Sequence, residues 1–229
     1  MIANPKIVLG LYKYTRDGKF DSAKYKKAIY EMHNFFRFNK IKNYNDFVFL
    51  AGDNCSLEKM EELGLKVEKV FEDSPRKVME NKAHLMKHYM IIWAIEKYKE
   101  VLWIDWDNLI LKWPDKKFWD FCRSHETPKF IYIPDYWATV NCGVYYANIK
   151  WKNSMENILE LWDGEPNDEL LWAAVLPHDI NDRKEFWFGD LAINIWAKEE
   201  ISLINKNTYF AHIKTFEYYK TITNQLGGI

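Results

Sequence analysis

The run Val101-Leu102-Trp103-Ile104 leads directly into Asp105-Trp106-Asp107-Asn108. An unbroken stretch of apolar, β-branched and aromatic residues reads as a fully buried strand. It stops on two aspartates that flank a single tryptophan. In a strand, alternate residues face the same way, so Asp105 and Asp107 project together from its carboxyl end. Two carboxylates held there repel each other and lose hydration unless a cation compensates them. A hard divalent metal, Mn²⁺ or Mg²⁺, that itself clamps a diphosphate would supply that charge. The plainer alternative is a pair of loop carboxylates capping the turn before Lys112-Trp113-Pro114.

Other segments offer partners for such a centre. In Asn141-Cys142-Gly143-Val144-Tyr145-Tyr146-Ala147-Asn148, Gly143 permits close backbone approach, and the Asn141 amide can both donate to and accept from a hydroxyl. Asp135 lies on the loop just before it. A structural turn accounts for the same residues equally simply. His212, in Tyr209-Phe210-Ala211-His212-Ile213-Lys214, gains meaning as a third metal ligand beside the two aspartates, since neutral imidazole suits Mn²⁺ as it suits Zn²⁺. Alone it reads as a satisfied core or surface histidine. Asp190 opens a segment read as helical, Leu191–Lys198, where N-capping explains it as well as an active-site role does. Lys82, Lys87 and His88 would bring positive charge near a diphosphate, or simply form a solvated helix face. His84 and His88 have a zinc-like spacing, but no HExxH pattern or nearby third ligand accompanies them. The chain contains no GxxxxGK[ST] loop, no GxGxxG turn after the first strand and no GxSxG elbow. That argues against P-loop NTPases, dinucleotide-dependent redox enzymes and α/β-hydrolases.

The elements that must carry these residues alternate. Lys6–Tyr12 reads as a first buried strand. A helix capped by Asp21 or Ser22 follows, with Tyr25, Ala28, Ile29, Met32, Phe35 and Phe36 on the 3.6-residue period. Phe47–Ala51 is a second strand, Leu57–Leu63 a short helix closed by Gly64, and Leu65–Val70 a third strand. A long helix from about Asn81 to Lys99 leads into the strand that ends at the aspartates. This β-α-β-α-β-α-β order predicts an α/β fold with a mainly parallel central sheet flanked by helices, whose ligands bind at the carboxyl ends of the strands. The second half is less regular. It has strands at Phe130–Ile133 and Gly143–Ala147, helices at Lys152–Trp162 and Asp168–Leu176, and short closing strands at Leu203–Ile204 and Tyr209–His212. No linker divides the halves, so residues 1–229 read as a single domain.

Composition narrows the function classes. Lys and Arg total 32 against 33 Asp and Glu, a net charge of -1, so no global field draws the protein onto nucleic acid or anionic lipid. Three scattered cysteines without a CxxC pair fit a reducing compartment. Neither a signal peptide nor a membrane span is expected, which points to a cytoplasmic protein. Among the 11 tryptophans, most are expected in the core, with a few available as platforms for sugar rings.

Taken in order, these pieces resemble the GT-A class of nucleotide-sugar glycosyltransferases, most of all glycosyltransferase family 8, the glycogenin and bacterial galactosyltransferase group. VLWIDWDNLIL is similar to that family's Asp-x-Asp strand almost position by position, and NCGVYYANIKW is similar to its Asn-x-Gly strand. The resemblance spans nearly the whole chain, but only those two blocks are close. It implies a Rossmann-like GT-A fold with a nucleotide-binding half, 1–110, and an acceptor-binding half, 111–229. By the same likeness Asp107 and His212 would ligate Mn²⁺, with Asp105 touching the metal and the ribose. Gly10, Leu11, Tyr12 and Lys13 would line the nucleotide pocket, with the indole of Trp106 restricting the donor pocket. Lys87 or His88 would lie near the donor sugar, and Asn141 and Asp190 would face donor sugar and acceptor. The chain departs from the family where Gly189-Asp190-Leu191-Ala192-Ile193-Asn194 replaces Asp-Gln-Asp-x-Leu-Asn, shifting Asp190 one residue out of register if Asn194 is the anchor. It departs again at the C-terminal motif, where only His212 and two possible diphosphate lysines, Lys214 and Lys220, remain.

The implied activity is transfer of a sugar from a nucleoside-diphosphate donor, UDP-linked, to an acceptor hydroxyl on a glycan or glycoconjugate. An inverting enzyme would need a carboxylate base, Asp190 or Asp135. A retaining one could pass the proton to the leaving diphosphate. Two alternatives stay open at this point: a sugar-1-phosphate nucleotidyltransferase, and a non-catalytic carbohydrate-binding protein on a decayed transferase fold.

Overall fold

A computed structural model describes residues 5–13, 15–16, 19–41, 44–70, 85–124, 127–133, 140–162, 168–176 and 184–225. The alternating first half folds as β1 (Lys6–Leu11), α1 (Ser22–Asn39), β2 (Phe47–Ala51), α2 (Asn54–Glu61), β3 (Val67–Lys69), α3 (Met86–Tyr98) and β4 (Glu100–Ile104). Both early helices start on aspartates. The Asp21 carboxylate accepts from Lys24 N–H and that of Asp53 from Ser56 N–H, which satisfies amides that the first turn leaves unpaired. Gly64, at φ +73°, takes the left-handed turn after α2.

The second half adds β5 (Asn108–Ile110), α4 (Lys116–Arg123), β6 (Lys129–Tyr132), β7 (Val140–Asn148), α5 (Lys152–Leu161), α6 (Asp168–Val175), β8 (Ala192–Ile195), β9 (Phe210–Ile213) and α7 (Phe216–Gln225). The main sheet runs β3-β2-β1-β4-β7-β6. Its first four strands are parallel, and β7 joins antiparallel to β4. The smaller sheet, β8-β9-β5, sits beside the carboxyl end of β4.

Period-two alternation sorts the apolar residues onto two faces. Val8, Val48, Leu50, Trp103 and Tyr145 pack with α3, α5 and α6, while Ile7, Leu9, Phe49, Leu102 and Ile104 pack with α1, α2 and α4. Both faces of the sheet are therefore covered, which is why its strands read as continuous apolar runs. Among the described residues no helix is long and apolar enough to cross a membrane.

Three expectations are corrected. The strand before the aspartates stops at Ile104, and Asp105-Trp106-Asp107 forms a turn in which Asn108 N–H donates to Asp105 O at 3.2 Å. The cause is Trp106. Its indole N–H donates to Gly10 O at 2.7 Å, and its ring stacks on Phe49 at 6.3 Å. Leu191–Lys198 is not a helix: a 3₁₀ turn, Gly189–Leu191, gives way to β8, whose β-branched Ile193 and Ile195 suit its parallel pairing with β9. Leu203 closes a second 3₁₀ turn, Lys198–Leu203, instead of forming a strand. The helix expected from about Asn81 is described from Met86, and Lys82 and His84 lie outside the described residues.

Candidate functional site

A cleft of about 550 Å³ opens where β1 and β4 end, and Asp105, Asp107, Lys87 and Lys214 share it. The turn after β4 is tied down on several sides. Asp105 N–H donates to Gly143 O at 2.8 Å. The Asn108 side-chain amide donates to the carbonyls of Asp105 and Gly143, each at 2.9 Å. Backbone geometry thus presents both carboxylates, although a continuing strand does not. Asp105 accepts from the Trp103 indole at 2.7 Å and from Lys87 Nζ at 3.0 Å. Asp107 is buried and accepts from Lys214 Nζ at 3.2 Å.

His212 comes from β9 and is fully buried. Its ring lies against Gly143, where a Cβ would stand 2.6 Å from the imidazole atoms. The β7 glycine is thus required by close approach. On the neighbouring strand Asn194 places Oδ1 2.6 Å from His212 Nδ1. An amide oxygen only accepts, so Nδ1 carries the proton and Nε2 keeps its lone pair. Burial lowers the His212 pKa below its ordinary value, so the ring is neutral near pH 7. Burial alone would raise Asp107, but the Lys214 ammonium beside it opposes that effect and holds the carboxyl below the usual range. For Lys214, burial works against the charge, yet Asp107 and Asp105 together outweigh it and the ammonium is stabilised.

One contact separates this cluster from an ordinary ion pair. Asp107 Oδ1 and the unprotonated His212 Nε2 face each other at 2.8 Å, and that buried oxygen has no hydrogen-bond donor among the described residues. Two acceptors at that separation call for a cation. Lys214 Nζ already lies 2.9 Å from Nε2. Asp105, Asp107 and His212 bring one ligand atom each to within 4.8 Å of the others. Two carboxylate oxygens and a neutral imidazole make a donor set that fits Mn²⁺ or Mg²⁺.

The remaining expected residues divide. Gly10, Tyr12, Trp106 and Asn141 line the cleft. A Cβ on Gly10 would stand 2.3 Å from the Trp103 ring, so the strand end and that indole fit only with glycine there. Leu11 does not line it. Successive strand residues alternate, and its side chain is buried in the core of the opposite face. Lys13 holds Asp53 through its backbone N–H at 2.7 Å, with its ammonium 5.7 Å from the Phe20 ring centre. His88 is buried between the rings of Tyr145 and Trp172, because one helical step turns it about 100° from Lys87. Asp190 is exposed beside a separate hollow with Phe121, Trp187 and Tyr209. Asp135 lies outside the described residues.

Sequence reasoning missed three groups, two lining the cleft and one behind it. Asn194 was only a register marker, and its role depends on strand pairing that no local pattern reveals. Glu31 on α1 lines the cleft, and burial together with the charge of Asp107 pushes its carboxyl up to about 7. Glu169 on α6 lines it too and accepts from Asn141 Nδ2 at 2.8 Å.

No protein-family model matches the sequence, and no curated protein does. Solved structures match over nearly the full length. A glycosyltransferase involved in glycosylation of the major capsid of PBCV-1 superposes with TM-score 0.52 at 13% identity, over 97% of this chain and 100% of that one. Mouse xyloside xylosyltransferase 1 in its apo form gives 0.53 at 9% identity, over 91% of this chain and 97% of that one. The chain has the GT-A fold. An active-site mutant of LgtC shares this fold as well, with TM-score 0.52 at 11% identity over 98% of this chain and 97% of that one. At such identities the likeness speaks for GT-A architecture and not for a shared substrate.

Proposed function

We propose that this protein is a metal-dependent glycosyltransferase that moves a sugar from a nucleoside-diphosphate donor, UDP-linked, to an acceptor hydroxyl on a glycan or glycoconjugate. The facing acceptors Asp107 Oδ1 and His212 Nε2, 2.8 Å apart and buried behind the cleft that Asp105 and Asp107 line, carry this reading. Asp105, Asp107 and His212 would hold Mn²⁺ or Mg²⁺, which when bound supplies Lewis-acid neutralisation of the diphosphate.

The chain's own groups do the rest. Asn194 fixes the His212 tautomer so that Nε2 faces the carboxylates. Lys87 and Lys214 place two ammonium groups in the cleft, beside Asp105 and Asp107 respectively, where they would favour the charge that grows on the departing diphosphate. Gly10 and Tyr12, backed by the Trp106 indole, form the surface for the nucleotide. Residues 1–110 would then supply most of the donor site and 111–229 the acceptor site, with His212 and Lys214 reaching back to the donor's metal and diphosphate, within one catalytic domain. The scattered Cys55, Cys122 and Cys142, without a CxxC pair, suit the reducing, cytoplasmic setting of this reading.

Incubation with UDP-glucose, UDP-galactose and UDP-xylose, with and without Mn²⁺, tests this reading. We expect Mn²⁺-dependent UDP release by the wild type and none by Asp107→Ala. Absence of release with every donor, together with no thermal shift by UDP plus Mn²⁺, would contradict it.

A further inference from the structure

Both carboxylate oxygens of Asp105 are held, and the two holds differ in kind. Lys87 Nζ, from α3, donates to Oδ2 at 3.0 Å, and the Trp103 indole N–H donates to Oδ1 at 2.7 Å. The ammonium brings a charge with its hydrogen bond and so competes with any cation for the carboxylate. The indole brings none. A neutral donor fixes where an oxygen points and leaves its negative charge for something else.

Packing keeps the indole from turning. Trp103 is 1% exposed and lies in the core between the sheet and α3. Its register partner on β1 is Val8. Two residues further along β1, Gly10 leaves the room that the ring fills, since a Cβ there would run into the indole and stand 2.8 Å from Met90 Cε. Met90 follows Lys87 by about one turn of α3, so one helix both wedges the indole and carries the ammonium. Asp105 comes directly after β4, and its N–H still pairs with Gly143 O on β7. Trp103 and Asp105, two residues apart, therefore share a side, and both line the cleft.

We infer that Trp103 is a positioning residue of the metal site: its N–H, locked by Gly10 and Met90, holds the Asp105 carboxylate toward Asp107 and His212. This rests on the metal-dependent reading above. The bond exists before a cation arrives, so binding is spared the entropy of fixing that side chain. Asp107 is held differently. Its one hydrogen-bond donor among the described residues is the Lys214 ammonium, on Oδ2. Loss of the indole N–H is therefore felt at Asp105 and not at Asp107.

Two replacements separate the N–H from the ring. Trp103→Phe removes the donor together with part of the ring. Trp103→β-(3-benzothienyl)alanine keeps the fused ring and puts sulfur where the N–H stood, so it decides the point even if the smaller ring fails to fold. Melting curves establish which chains are folded. Mn²⁺ binding is titrated by electron paramagnetic resonance of the free ion with UDP present, referenced to UDP without protein, and metal-free crystals show the carboxylates. We expect each replacement to weaken Mn²⁺ binding by about tenfold or more, the scale of a lost outer partner of a metal ligand. Asp105 should turn from its wild-type orientation while Asp107 and His212 stay in place. Wild-type affinity in the benzothienyl chain would overturn the inference and leave the metal-dependent reading standing. So would weakened binding with Asp105 still in its wild-type orientation, because the ring would then act by packing alone. A wild type that takes up no Mn²⁺ in the presence of UDP would remove both readings.

Discussion

Strand β4 begins and ends on acidic groups, and the two ends are treated differently. Glu100, at the start, is met by an Arg123 fork at 2.8 and 2.7 Å and by the Tyr146 hydroxyl at 2.6 Å. One carboxylate faces one matched cation, and every bond is donor to acceptor. Asp105 and Asp107, just past the other end, share their space with two lysines and a neutral imidazole, and one contact sets acceptor against acceptor. The first arrangement is complete as it stands. The second has more charge and more lone pairs than folding requires, and that surplus is what the proposed metal site would use.

The largest test of this contrast is Asp107→Ala against Glu100→Ala. We expect the former to reduce UDP release by about 10³-fold, the scale of losing a group that stabilises developing charge. The latter should leave kcat within about threefold, and initial rates on purified variants separate them. Gly143→Ala comes next, because the added Cβ would stand 2.6 Å from a ring that Asn194 holds in place. We expect a loss of about 3 kcal/mol in denaturant unfolding, near the upper end for overpacking, accompanied by weaker Mn²⁺ binding. Glu100→Ala should itself cost about 2 kcal/mol, the scale of hydrogen bonds to a charged group. Arg123 is 37% exposed and recovers water, so the full penalty of a broken buried pair is not reached.

The smallest effect belongs to Glu31. Its carboxyl is raised to about 7, so the folded chain holds this proton more tightly than the unfolded one. Stability then falls as pH climbs from about 4.5 to 7 and stays reduced above that. In metal-free buffer we expect Glu31→Gln to be more stable than wild type by about 1 kcal/mol at pH 8, a Tm gain of about 2–4 °C. The gain should vanish below pH 4.5. An unchanged difference across that range would show that the cleft does not crowd its acids.

These contrasts also explain what could be read in advance. The parallel sheet was legible because burial on both faces leaves long apolar runs, and the first helix announces its cap at Asp21, whereas the second begins at Asn54 on the Asp53 cap, ahead of the Leu57 start its apolar pattern suggested. Asp105, Asp107 and His212 were legible as residue types that need one another. Their geometry was not, because Trp106 bends the chain toward Gly10 O through a contact 96 residues distant in sequence. Lys87 and His88 look alike along the sequence, and only the helix phase against the sheet separates a cleft ammonium from a core imidazole. Asn194 and Glu169 gave no local signal, since each acts through a partner brought by a different element.

The central claim is that Asp105, Asp107 and His212 together hold a divalent cation that engages a nucleoside diphosphate. Anomalous diffraction at the manganese edge, from crystals grown with UDP and Mn²⁺, tests it most directly. The account expects one strong peak among those three side chains with the diphosphate beside it. UDP bound in the cleft with no peak there, or a peak held by other residues, would contradict it.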